Sequence, residues 1–196
     1  ALRLLGDRKD VSALPALKKR LAGALGQAAL EALWAVNLSG GFTPDFAGLT
    51  IGHADPHVRL WTVRLLGDER VLTEPLAKRL ARLAKREPHV EVRSQLAAMA
   101  KRLPAPQALP IIRALMEHDS DAGDIYQPLM VWWALESKVG QDASEVLELF
   151  EDKSVWQKSL ARQHLLSRLI RRFAKAGTRA DLINGARLFE LAPDAD

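Results

Sequence analysis

Asp55-Pro56-His57-Val58-Arg59-Leu60 opens one amphipathic stretch, and Glu87-Pro88-His89-Val90-Glu91-Val92-Arg93 opens another. From Pro56 to Pro88 is a step of 32 residues, the length of one helical hairpin. Proline suits a first helical turn, where its missing N–H would have had no acceptor within the helix. An acidic residue, a proline and a Val-Arg helix start, returning at that period, is the signature of stacked helix pairs. The phrase predicts an all-α fold.

Working outward, similar signals divide the rest of the chain. Ser12 reads as the N-cap of a helix carrying Leu14, Leu17 and Leu21, with Pro15 in its first turn. A partner helix runs from Gln27 to Asn37, and Gly40-Gly41 permits a left-handed end. Thr43-Pro44 opens a second pair with Phe46 and Leu49 as core anchors; the helix from Pro56 then buries Val58, Trp61, Leu65 and Leu66.

Thr73-Glu74-Pro75 starts a third pair, with Leu76, Leu80 and Leu83 inward and Arg79, Arg82 and Arg86 outward. Its partner spans Pro88 to Arg102. Ile111, Ile112, Leu115 and Met116 mark a fourth pair, completed by a helix from Asp124 to Ser137. A fifth holds Val146, Leu147 and Phe150, followed by a helix from Val155 to Ala176, and Thr178 begins a last one.

No stretch shows the sustained alternation of a strand. A single hairpin cannot hide its own apolar face, so neighbours must stack. The expected architecture is a right-handed α-solenoid of about five to six antiparallel helix pairs, forming one repeat domain over residues 1–196.

Composition narrows the function classes. A hydrophobic fraction of 48% suits a folded chain. The 28 basic and 24 acidic residues are mostly interleaved, so a net charge of +4 permits an acidic partner without demanding one. No run reaches the roughly 20 apolar residues a membrane span requires. The absence of cysteine rules out thiolate zinc sites and a CxxCH haem attachment within these residues. Ala1-Leu2-Arg3-Leu4-Leu5-Gly6-Asp7 reads as a helix tail and nearly repeats Thr62-Val63-Arg64-Leu65-Leu66-Gly67-Asp68. From Gly6 to Gly67 is a step of 61, two repeat lengths, which suggests a segment of a longer protein.

The acidic-Pro-x-Val-Arg helix openings and the period near thirty resemble HEAT repeats of the short, lyase-associated type. Two further phrases are Ala32-Leu33-Trp34-Ala35-Val36-Asn37 and Leu129-Met130-Val131-Trp132-Trp133-Ala134-Leu135-Glu136. Both resemble the repeat region of large bacterial extracytoplasmic proteins that combine a sugar-dehydrogenase-like propeller, helical repeats and a c-type cytochrome domain. That resemblance implies a scaffold or protein-interaction module in a periplasmic or extracytoplasmic setting. It carries no catalytic residue onto this chain.

Candidate binding residues follow from charge and aromatic placement. Arg59 and Arg93 occupy matching places and can line an inner wall with guanidinium groups suited to carboxylate or phosphate. The plainer reading is an Asp–Arg ladder, since Asp55 and Arg59 are i,i+4 neighbours. Between Lys158 and Arg179 no acidic residue occurs. Arg168, Arg172, Lys175 and Arg179 fall opposite an apolar stripe of Leu166, Leu169, Ile170 and Phe173. Such a face can meet phosphates or an acidic protein, though a solvated surface explains it more simply. Trp132 and Trp133 point about 100° apart and cannot fill one pocket; core packing of both, one of them on the neighbouring hairpin, is the plainer reading, and the alternative is that one lines the groove as an anchor for a partner.

Of the five histidines, His53 and His57 are spaced i,i+4, but Asp55-Pro56 between them starts a new helix, so they share no helical face; Asp119, Asp121 and Asp124 fail the EF-hand pattern. No Gly-x-Ser-x-Gly elbow, phosphate loop or His-Glu-x-x-His motif occurs. The expectation is a protein-binding scaffold that is not an enzyme and has no cofactor. A nucleic-acid-binding repeat protein of the DNA-glycosylase type is the alternative.

Overall fold

A computed structural model describes residues 2–193. Ala1 and its part in the expected helix tail lie outside the described residues. Among those described there are thirteen α-helices and no strand. The chain forms two compact units, Ala1–Glu69 and Arg70–Asp196.

The first unit contains α1 (Leu2–Arg8), α2 (Leu14–Gly23), α3 (Gly26–Leu38), α4 (Pro44–Thr50) and α5 (Pro56–Asp68). Helix α2 lies along α3, which also touches α1 and α5, while α4 packs on α5. Leu21, Ala29, Leu33, Val36, Phe46 and Val58 form the core, with Leu14, Leu17 and Trp61 packed against it. Trp34 and Trp61 meet edge to face, with centroids 5.0 Å apart. The turn from α3 to α4 depends on two glycines. Gly40 adopts φ +75°, which glycine tolerates without strain. A Cβ on Gly41 would collide with a Leu14 methyl.

The second unit contains α6 (Glu74–Arg86), α7 (Val90–Ala100), α8 (Ala105–Leu115), α9 (Gln127–Val139), α10 (Ala143–Glu148), α11 (Lys153–Gln157), α12 (Leu166–Ala176) and α13 (Arg179–Glu190). Helix α6 lies along α8 and α7 along α9, so first helices stack on first helices and second on second. Leu80, Leu96, Met99, Ile111, Ile112 and Leu115 are almost completely buried between them. Burying each such side chain stabilises the fold by roughly 1.5–3 kcal/mol.

Side chains that reach back about one repeat length tie the pairs, and most of their targets are backbone atoms. In the first unit the His53 ring bonds Leu21 O at 3.1 Å, and Gly26 N–H donates to Asp55 Oδ2 at 2.6 Å. In the second, the Gln107 side chain clamps both backbone groups of Leu72, at 3.0 and 2.7 Å. His118 bonds Ala84 O and Gln127 bonds Val90 O, each at 2.7 Å. Lys138 donates to Lys101 O and Leu103 O. His164 reaches Ala122 O at 2.8 Å. Sequence separations of 29 to 42 residues recur across these ties.

Several expectations are corrected. Ser12 is not the cap: Asp10 accepts from Ser12 N–H and opens a 3-10 turn at Val11–Ala13 that leads into α2. Leu49 stands 72% exposed, because α4 turns Phe46, Ala47 and Thr50 inward and Leu49 falls about 100° off that face. Helix α7 starts at Val90, so Pro88 precedes the helix and is not in its first turn. Tyr126 lies before α9 and is exposed, because Asp124 accepts from the Tyr126 and Gln127 N–H groups and delays the helix start. The helix expected from Val155 to Ala176 breaks at Lys158, whose ψ of 130° is extended. It resumes from 159 to 176 through a π-turn at Ala161–Leu165.

Candidate functional site

The short helices decide where the surface opens. In the second unit, α6 and α8 are 13 and 11 residues long and lie along each other; the groove beside them holds only about 290 Å³. In the first unit, α2 has ten residues but α4 only seven, and the two barely touch. The space between them is a cleft of about 740 Å³. Leu21 and Phe46 contribute its buried apolar floor, at 2% and 8% exposure. Leu25 and Leu49 stand at its edges, 66% and 72% exposed. A cavity of this volume, mostly apolar with a few polar groups, has the character of a binding site. Leaving the two leucines in water forgoes roughly 1.5–3 kcal/mol each relative to burying them.

The polar groups of the cleft differ in availability. His53 Nδ1 accepts from Asp55 N–H at 3.1 Å, so its Nε2 carries the proton that goes to Leu21 O. That ring is committed on both sides. Burial would raise the Asp55 carboxyl, but N–H donors from Gly26, His57 and Val58 outweigh it and hold it below its ordinary value. On the walls themselves, the Lys18 ammonium sits 4.8 Å from the Phe46 ring centroid, and Asp45 occupies the first turn of α4. Lys19 and Arg20 follow Lys18 on α2, both exposed. A second opening of about 630 Å³ lies beside α8 and the six-residue α10, but Arg113, Glu145 and Glu148 make its wall charged.

The residues singled out in the sequence do not converge on either opening. Arg59 Nη1 donates to His53 O and Ala54 O, at 2.8 and 2.9 Å. Arg93 is buried: its Nη1 meets Glu87 O, while Nε and Nη2 hold the Asp121 carboxylate in a bidentate pair. Both arginines reach back six residues to a linker carbonyl. Core packing holds for Trp132, buried at 8%, but not for Trp133, which is 43% exposed with the Lys101 ammonium 5.8 Å from its ring centroid.

Arg168 is half-buried on α12, and Arg172 lies 3.8 Å from Glu136. Lys175 is exposed. Gly177, at φ +66°, ends that helix, so Arg179 belongs to α13. The linker acids Asp119, Asp121 and Asp124 bond Ser159 N–H, Arg93 and the start of α9 respectively. No group of three metal-ligand side chains occurs among the described residues.

The cleft escaped the sequence reading because it depends on the length mismatch between two helices. The only signal for it was the short span from Thr43-Pro44 to Asp55-Pro56. Comparison with protein-family models, with curated proteins and with solved structures gave no match.

Proposed function

We propose that this chain is a non-catalytic scaffold of stacked helix pairs, a HEAT-like right-handed solenoid, that recognises protein. The observation that carries this reading is the contrast between polar and apolar groups. The polar side chains of the linkers are engaged in tying repeats together, while the α2–α4 cleft leaves a broad apolar surface uncovered. Six aspartates and glutamates held below their ordinary values, Asp10, Asp55, Glu117, Asp119, Asp124 and Asp152, all serve as caps or ties. A setting within a larger extracytoplasmic dehydrogenase–cytochrome protein rests on the resemblance of the Ala32–Asn37 and Leu129–Glu136 phrases.

The alternative, nucleic-acid binding, draws on the basic face of α12. Arg172 has an acidic neighbour in Glu136, and the aromatic Phe173 is fully buried, so base stacking has no platform there. Fluorescence anisotropy with a generic duplex separates the two readings. A scaffold shows no saturable binding; affinity that falls steeply with salt overturns the scaffold reading. Scattering tests the architecture: a radius of gyration near the ~16 Å of a compact globule of this length would count against a solenoid.

A further inference from the structure

The outer side of α13 has the register of a helix-packing face, and its sequence is complementary to itself. We propose that two copies of this chain pair through it, with their α13 helices antiparallel about a twofold axis. This surface is separate from the α2–α4 cleft, and the pairing goes beyond the scaffold reading without depending on it.

Register gives the first argument. Leu80 in α6, Ile112 in α8 and Gly185 in α13 hold one place in the inward stripe. The residues four before (Leu76, Ala108, Asp181) and three after (Leu83, Leu115, Leu188) are likewise buried or half-buried. At six, three and two residues before that place and one after it, α6 carries Glu74, Ala77, Lys78 and Ala81, which line its groove with α8. The same places in α8 are Pro106, Leu109, Pro110 and Arg113, which line the opening beside α10. In α13 they are Arg179, Leu182, Ile183 and Ala186, all exposed. The face through which α6 and α8 each meet the following helix is therefore left in water on α13. Leu182 and Ile183 stand 55% and 56% exposed there.

Symmetry names the occupant. Arg179, Ile183, Ala186 and Glu190 follow at i, i+4, i+7 and i+11, a stripe opposite the buried side of α13. Leu182 and Phe189 run along one edge of it. Turned end for end, the stripe matches itself. Arg179 falls opposite Glu190 of the second copy, Ile183 opposite its Ala186, and Leu182 beside its Phe189. Twofold symmetry makes each match twice. A parallel pair would instead set Arg179 against Arg179, so charge selects the antiparallel sense. Phe189, 63% exposed, is covered in the same step. Arg187, on the other edge, already pairs with Glu151.

The test is sedimentation velocity of the purified chain from micromolar to sub-millimolar concentration. A reversible dimer is expected. Ile183→Glu should weaken it about tenfold or more, and Arg179→Glu and Glu190→Arg should each do the same. The double reversal Arg179→Glu, Glu190→Arg restores the matched charges and should recover dimerisation. All three positions are exposed, so every variant should keep its circular dichroism.

Three results overturn the proposal: the chain stays monomeric throughout, the dimer ignores Ile183→Glu, or the double reversal dimerises no better than the single ones. The first of these would leave the face to a helix of another protein.

Discussion

Gly26 and Asp55 meet through one 2.6 Å hydrogen bond, the Gly26 N–H donating to Asp55 Oδ2 across 29 residues of chain. The other oxygen of the same carboxylate caps α5 through His57 and Val58. One side chain thereby fixes the beginnings of two stacked helices. Asp55→Ala should cost about 1–3 kcal/mol in urea denaturation, from a lost cap and an unpaired N–H. Thr73 begins α6 without a side-chain cap bond. Thr73→Ala is the matched control and should change stability far less.

Arg93 and Asp121 form an ion pair with side chains only 7% and 4% exposed. Removing one partner strands the other charge, so Arg93→Met alone should destabilise by about 3–5 kcal/mol. The double variant Arg93→Met, Asp121→Leu should recover most of that loss. A double variant no better than the single one would contradict this account of the pair.

Lys138 is buried and its ammonium closes the end of α7 through Lys101 O and Leu103 O. Burial lowers its proton affinity, with Asp142 opposing. Lys138→Met keeps the stem and loses both bonds, for an expected cost of about 1–3 kcal/mol. Hydrogen exchange should quicken at the α7 end before it does in α9.

Acid should loosen the second unit through Asp152 and Glu117. Hydrogen bonds from Ser154, then the Arg113 guanidinium, lower Asp152 to about 2. Lys158 first, then Arg113, lowers Glu117. Both groups hold protons less tightly folded than unfolded. Their stabilisation is therefore complete above their ordinary values near 4 and is lost as pH falls toward about 2. Melting temperatures across that window should drop, and Arg113→Met should make the drop shallower.

Gly41→Ala places a methyl where the Leu14 side chain already sits. Overpacking of this kind costs about 1–3 kcal/mol. Leu14→Ala in the same background should relieve part of the strain, as a double-mutant cycle in urea will show.

Much of the fold was legible because helix starts carry local chemistry. Thr43-Pro44 and Asp55-Pro56 open helices where expected, and both capping side chains accept N–H bonds. The repeated phrase was less faithful. Helices α5 and α7 start at 56 and 90, a step of 34, so the matching Pro-His-Val letters sit two residues out of register. Arg59 and Arg93 are nevertheless true equivalents, since each bonds the carbonyl six residues before it. Tertiary geometry set that register, and the wording around Pro88 did not reveal it. The candidate site was hidden for a related reason: Leu49 reads as core by its spacing from Phe46, yet α4 is rotated so that Phe46, Ala47 and Thr50 face inward and Leu49 does not.

Most of the joints between helix pairs accept at main-chain carbonyls: Leu21, Ala84, Val90, Lys101, Leu103 and Ala122. Any residue supplies a carbonyl, so half of each joint is indifferent to the side chain at that position. At Val90 and Lys101, whose side chains are not buried, substitution can vary the surface while leaving the joint intact; at Leu21, Ala84, Leu103 and Ala122 the side chain is core and answers to packing instead. The vulnerability is lopsided, concentrated in the few donors His53, His118, Gln127, Lys138 and His164.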